Sequence, residues 1–157
     1  MDPDGQQIIT GLFTAPPEGD TARAMSQENV DFVLASYEWG NSQQPTRLAR
    51  EWWHADGEYI NSREDPDHGV YRGLEAIEKL FASWIEVYPD LKVWPVEARA
   101  NGERVFVWVR LSGHSAHSGA PLDMEGANVV TLENGKIRRL EEFLDRAEAL
   151  EAVGLSE

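Results

Sequence analysis

Glu142 is the side chain on which chemistry could be built. It lies in the run Leu140-Glu141-Glu142-Phe143, a few residues after Asn134-Gly135, a dipeptide that closes two-residue hairpins. The turn predicts a strand ending near Leu132 and another starting near Lys136. Alternate residues of a strand point to opposite faces. Arg138, Leu140, Glu142 and Leu144 therefore share one face, and Ile137, Arg139, Glu141 and Phe143 share the other. A carboxylate turned into a dry cavity has its pKa raised by desolvation and lowered by a neighbouring guanidinium. There it could accept a proton. Turned to water, it is an ordinary edge charge. Asp145, with Glu148 three residues on, has the spacing of a helix cap, not of a catalytic acid.

The totals narrow the partners. The chain has 157 residues, a formal net charge of −14 and a sequence pI near 4.6. Such a charge repels phosphate, which argues against nucleic acid and anionic membrane surfaces. With no cysteine there are no disulfides and no thiolate metal site. His114 and His117 with His68 or Glu125 make only a weak metal-ligand set, so neither metal nor cofactor is expected. No apolar run approaches the ~20 residues needed to span a bilayer, and no signal peptide is visible, so a cytoplasmic location is expected.

The elements that must position Glu142 follow from periodicity. Residues 1–25, rich in Gly, Pro and Asp, read as a flexible N-terminal extension with a short apolar patch at Ile8, Ile9, Leu12 and Phe13. Residues 26–157 read as one domain. Ser26 is a plausible N-cap for a helix carrying Val30, Val33, Leu34 and Tyr37 on one stripe, stopped at Gly40-Asn41. A second helix is expected over 45–54, then a strand over 58–61 after the Asp56-Gly57 turn, then a polar loop over 62–70. A third helix carries Leu74, Ile77, Leu80, Phe81, Trp84 and Ile85 and ends at Pro89. Strands follow over 91–100, 104–114, 123–132 and 136–144, then a short helix over 145–153. The class is α+β. The strand 104–114 is apolar on both faces, which predicts cover on both: helices on one side, a second subunit of a homodimer on the other.

Helices followed by a curved meander, with the third helix VYRGLEAIEKLFASW and the ending LENGKIRRLEEFLDRAEALEAVGL, resemble the SnoaL-like group of the nuclear-transport-factor-2-like superfamily. This group includes polyketide cyclases and limonene epoxide hydrolases. The resemblance runs over residues 26–155. It implies a cone-like curved antiparallel sheet with three N-terminal helices on its concave face and a small-molecule pocket between them. It also implies a water held by Tyr59 and Asn61, an Arg at Arg110, and Glu142 as the last-strand carboxylate that activates the water. Ser112 stands where epoxide hydrolases carry the acid that protonates the epoxide oxygen, and Asn128 stands where cyclases often carry a His.

With Arg110 turned inward, alternation brings Phe106, Trp108, Ser112 and His114 to the same face, together with Met124 and Asn128 of the next strand and Leu140 and Leu144 of the last. Trp53 is expected at the cavity. In this reading Arg110 keeps Glu142 ionised, Tyr59 and Asn61 hold the water, and His114 is the acid. The expected function is water activation or proton transfer on an apolar, oxygen-bearing small molecule. The competing reading is a non-catalytic ligand-binding or assembly module.

Overall fold

The computed structural model describes residues 17–43 and 50–157. The apolar patch at Ile8–Phe13 and residues 45–49 of the expected second helix lie outside them. In chain order the elements are α1 (Pro17–Gln43), β1 (Trp53–Ile60), β2 (Val70–Arg72), α2 (Leu74–Val87), β3 (Lys92–Asn101), β4 (Arg104–His114), β5 (Pro121–Glu133), β6 (Lys136–Phe143) and α3 (Arg146–Val153). Two of the three described helices thus precede the meander and one follows it. Trp53 and His54, expected at a helix end, open β1.

Helix α1 starts before Ser26 and passes through Gly40-Asn41. Ser26 is therefore not its cap. Asn41, expected to stop the helix, clasps the sheet: its amide donates to the Val93 carbonyl and accepts from the Val93 N–H, each at 2.9 Å. That pair mimics a strand ladder and holds β3 against the helix.

The six strands form one curved sheet in the order β2-β1-β6-β5-β4-β3. Three hairpin-like pairings, β3–β4, β4–β5 and β5–β6, are antiparallel. The fully antiparallel sheet expected from the sequence is corrected at one seam, because β1 lies parallel to β6. A parallel neighbour requires a long crossover; here α2 and the whole meander intervene. The short β2, within and just beyond the expected polar loop, pairs antiparallel with β1. Asp56-Gly57, read as a turn, lies inside β1 where its register with β6 slips between Trp53 and Glu58. The Trp53 ring covers Gly57 so closely that a Cβ there would fall 2.9 Å from Cε3.

Local signals near Glu142 act as their chemistry dictates. Asn134 and Gly135 both take positive φ, 52° and 75°, as a type I′ turn demands. Asp145 caps α3 by accepting the Glu148 N–H at 3.1 Å.

The core has two parts, one on each face of the sheet. On one face Val33 of α1 and Ile77 and Leu80 of α2 pack with Trp53, Tyr59, Val105, Val107, Val109, Val130, Leu132, Ile137 and Leu140. On the other, Ala149, Leu150 and Val153 of α3 pack with Phe106, Ala127 and Val129. One chain thus covers both faces of β4 at its Arg104 end, so its two-sided apolarity does not by itself require a partner. No helix among the described residues is long and apolar enough to cross a membrane.

Candidate functional site

Glu142 lies near the end of β6, on the face that carries α1 and α2. The parallel register places Tyr59 beside Leu140, so the inward side chains of β1 meet those of β6. The Tyr59 hydroxyl donates to one carboxyl oxygen of Glu142. The Ser62 N–H donates to the other at 3.2 Å. Tyr59 is buried, with the rings of Phe81 and Trp84 edge-on to it at 5.4 and 5.5 Å. Burial raises the Glu142 pKa, and Asp65 adds a smaller push upward. The Tyr59 and Ser62 donors oppose this by favouring the anion. The Tyr59 hydroxyl is itself held far above its ordinary pKa, first by burial and then by the Glu142 charge.

Asn61 is brought to this end of β1 but does not reach Glu142. Its amide donates to the Asp67 carbonyl at 3.2 Å and accepts the Gly69 N–H at 2.8 Å. It thereby folds the loop that delivers the Ser62 N–H.

Asn128 of β5 sits directly opposite Glu142 across the strands and is buried. Its amide donates to the Tyr37 hydroxyl of α1 at 2.6 Å. Burial raises the Tyr37 pKa, Asn128 lowers it, and the Glu142 charge raises it slightly. Two hydrogen-bonded pairs, Tyr59–Glu142 and Tyr37–Asn128, therefore stand side by side among apolar side chains. Sequence reasoning missed Tyr37, Phe81, Trp84 and the Ser62 amide as site elements. Tyr37 had a usable signal, because a hydroxyl on the inward stripe of a helix needs a polar partner.

The expected set from β4 is corrected. Residues 105, 107 and 109 face α1 and α2, so Phe106, Trp108, Arg110, Ser112 and His114 have the opposite parity and lie away from Glu142. Arg110 is exposed and makes two 2.8 Å bonds to Asp123. No guanidinium touches Glu142 among the described residues, so Arg110 does not keep it ionised. His114 is exposed and bound to Asp90, through Nδ1 and through its backbone N–H, each at 2.7 Å. Ser112 pairs with Lys92 and Asp123 of the neighbouring strands. Phe106 and Trp108 lie under the Arg146 guanidinium, which is 5.1 and 5.4 Å from their ring centres, and the Trp108 indole donates to Glu125. Met124 and Leu144 have the parity of Glu142 but are exposed near strand ends. Trp53 and Leu140 are core residues on the Glu142 face. The physical reason is simple: a slip of one residue in the inward assignment sends a whole strand to the other face. The stripe Val105, Val107, Val109 and Leu111 is the one that packs with α1 and α2.

The sequence profile of the SnoaL-like domain matches residues 33–140. No curated protein matches the chain by sequence. Solved structures with a similar fold include a protein from Jannaschia sp. CCS1 assigned to the SnoaL-like polyketide cyclases, at 21% identity and TM-score 0.67, covering 92% of this chain and 99% of that one. The epoxide hydrolase/cyclase-like enzyme SalBIII, of pyran ring formation in the polyether salinomycin, aligns at 17% identity and TM-score 0.63 over 76% of this chain and 92% of its own. A protein of ketosteroid isomerase-like fold from Catenulispora acidiphila DSM 44928, in complex with trimethylamine, aligns at 19% and 0.61 over 83% and 95%.

Proposed function

We propose that this chain, which belongs to the SnoaL-like domain family, is a proton-transfer enzyme in which Glu142 carries the proton for an isomerisation or ring closure of a small, apolar, oxygen-bearing substrate. The supporting observation is the Glu142 carboxyl itself: enclosed on the α1/α2 face, held by the Tyr59 hydroxyl and the Ser62 N–H, and raised in pKa by burial. A base is most effective when its pKa approaches the working pH, and burial moves a carboxylate in that direction. We take the face of α1 and α2 as the concave one, so a substrate enters between these helices and the sheet.

The arrangement favours proton transfer over water addition. Tyr59 donates its hydrogen to Glu142, and Asn61 makes its hydrogen bonds to the Asp67 and Gly69 backbone, so the two do not converge as the donor pair that epoxide hydration would use. Neither Ser112 nor His114 lies where it could protonate an opened epoxide. The reading needs no metal or cofactor. It extends to a homodimer through the open sheet, where Trp94 and Val96 are exposed near the Arg110–Asp123 ion pair.

The test is deuterium uptake from heavy water by a panel of cyclic ketones and enones, followed by NMR, with an epoxide panel alongside. The intact protein should accelerate exchange, and Glu142→Gln should lower the rate by about a hundredfold or more. Equal exchange by both proteins, or diol formation from an epoxide as the only turnover, would reject proton transfer as the reaction.

A further inference from the structure

We propose that Gly126 is the floor of a separate, apolar subsite beside Glu142, and that it sets the size of the hydrocarbon arm a substrate carries next to its oxygen-bearing end. This rests on Glu142 as the proton carrier for where the reacting end lies. Gly126 lies inside β5 and is buried. A glycine in a strand interior forgoes side-chain packing and costs backbone entropy. Conformation does not require it, because its φ is not positive. Crowding does not require it either. At Gly57 a Cβ would fall 2.9 Å from the Trp53 ring. At Gly126, chain neighbours aside, a Cβ would meet only the Phe143 carbonyl oxygen at 3.4 Å and Leu144 Cδ2 at 4.0 Å among the described residues. What a glycine supplies here is room for a ligand to lie against bare backbone.

The subsite adjoins the carboxyl. Gly126 shares a face with Asn128, two residues and about 7 Å along the strand, and Asn128 pairs directly with Glu142. Gly126 itself pairs with Val109 of β4, and Met124 pairs with Leu111. Val109 and Leu111 pack on the α1/α2 side. From Glu142 toward the Pro121 end of β5, this face therefore presents Val109, Leu144, Leu111 and Met124 around the glycine, and none of them carries a charge or a hydrogen-bond donor. The wall ends in an apolar rim. Met124 and Leu144 are exposed at 41% and 45%. Val87, exposed at 44%, closes α2 at the same strand ends, where its carbonyl accepts the Ala116 N–H at 2.8 Å. Exposed apolar side chains gathered at one place mark a contact surface, and continuity with the Glu142 site makes the contact the substrate's own body. The substrate class is accordingly amphiphilic: oxygen functions at the Glu142 end, and a hydrocarbon arm that crosses Gly126 and reaches Met124. A polar atom on that arm would lose water without gaining a partner.

The probes are phenol and its para-alkyl series from methyl to pentyl, titrated by calorimetry. With the parent protein, affinity should climb with arm length, by up to about fourfold per methylene. Gly126→Leu fills the floor and should lower pentylphenol affinity by about tenfold or more while phenol itself shifts by less than about twofold. Leu144→Ser and Met124→Ser, at exposed positions, should flatten the same climb, giving a second reading if the leucine variant folds poorly; circular dichroism checks each fold. A climb unchanged in the folded variants, or absent from the parent, would overturn the subsite. The series is repeated with Glu142→Gln. A climb that persists there, with no ketone exchange by the parent, would reject Glu142 as base and leave the subsite standing, whereas exchange without any climb would do the reverse.

Discussion

Burial of Glu142 has a consequence for stability as well as for chemistry. Its ordinary pKa is 4.5 and its folded value is higher. Between the two, the native protein keeps a proton that the unfolded chain has released. The contribution of this group is therefore complete below pH 4.5 and is lost as pH rises through the folded pKa. Glu142→Gln removes this dependence. Relative to the parent, the variant should gain thermal stability at neutral pH, with the gain shrinking toward pH 4.5; melting temperatures across that range measure it. Asp90 and Asp123 behave oppositely. Hydrogen bonds from His114 and Arg110 respectively lower their pKa values, so acid weakens these contacts. Both are exposed, and surface pairs of this kind contribute little. The role of Glu142 could be posed from its sequence position, but its partners could not. Tyr59 and Ser62 lie some 80 residues upstream, and only the parallel seam brings them to it.

At the scale of elements, α1 is the lever for the site. It carries Tyr37 and, one turn later, Asn41, whose two hydrogen bonds to Val93 fix the helix on β3. Asn41→Ala leaves both Val93 groups without this partner and should destabilise the fold by about 1–3 kcal/mol, read from urea midpoints. The helix itself was legible from Val30, Val33 and Tyr37, but its ends were not. Gly40-Asn41 has the local signature of a stop, and tertiary hydrogen bonding uses the asparagine instead. The hairpin at Asn134-Gly135 and the Asp145 cap were legible because their chemistry is complete within four residues. The inward face of β4 was misassigned. Alternation says which residues travel together, not which side a helix will cover. Arg110, Trp108 and Phe106 therefore moved as a block to the α3 side, while Asn128, Leu140 and Glu142 stayed on one face.

At the scale of the whole molecule, α3 and the Arg146 cluster close part of the sheet's second face. Arg146 binds Glu97 and Glu157 while lying over Phe106 and Trp108. Beyond it Trp94 and Val96 remain exposed at 50% and 57%. If the homodimer forms there, Trp94→Glu should convert a dimer to a monomer in analytical ultracentrifugation without changing the circular dichroism spectrum; an unchanged sedimentation coefficient would place the interface elsewhere. The sequence by itself determined the α+β class, the meander, the turn before the last strand and the cap after it. Each depends on contacts within one element or between adjacent ones. Only the tertiary structure decided which side of β4 meets the helices, that β1 runs parallel to β6, and that a tyrosine of the first helix stands beside the last-strand carboxyl. Those are long-range pairings, set by how two sheet faces compete for three helices, and no local pattern encodes the outcome.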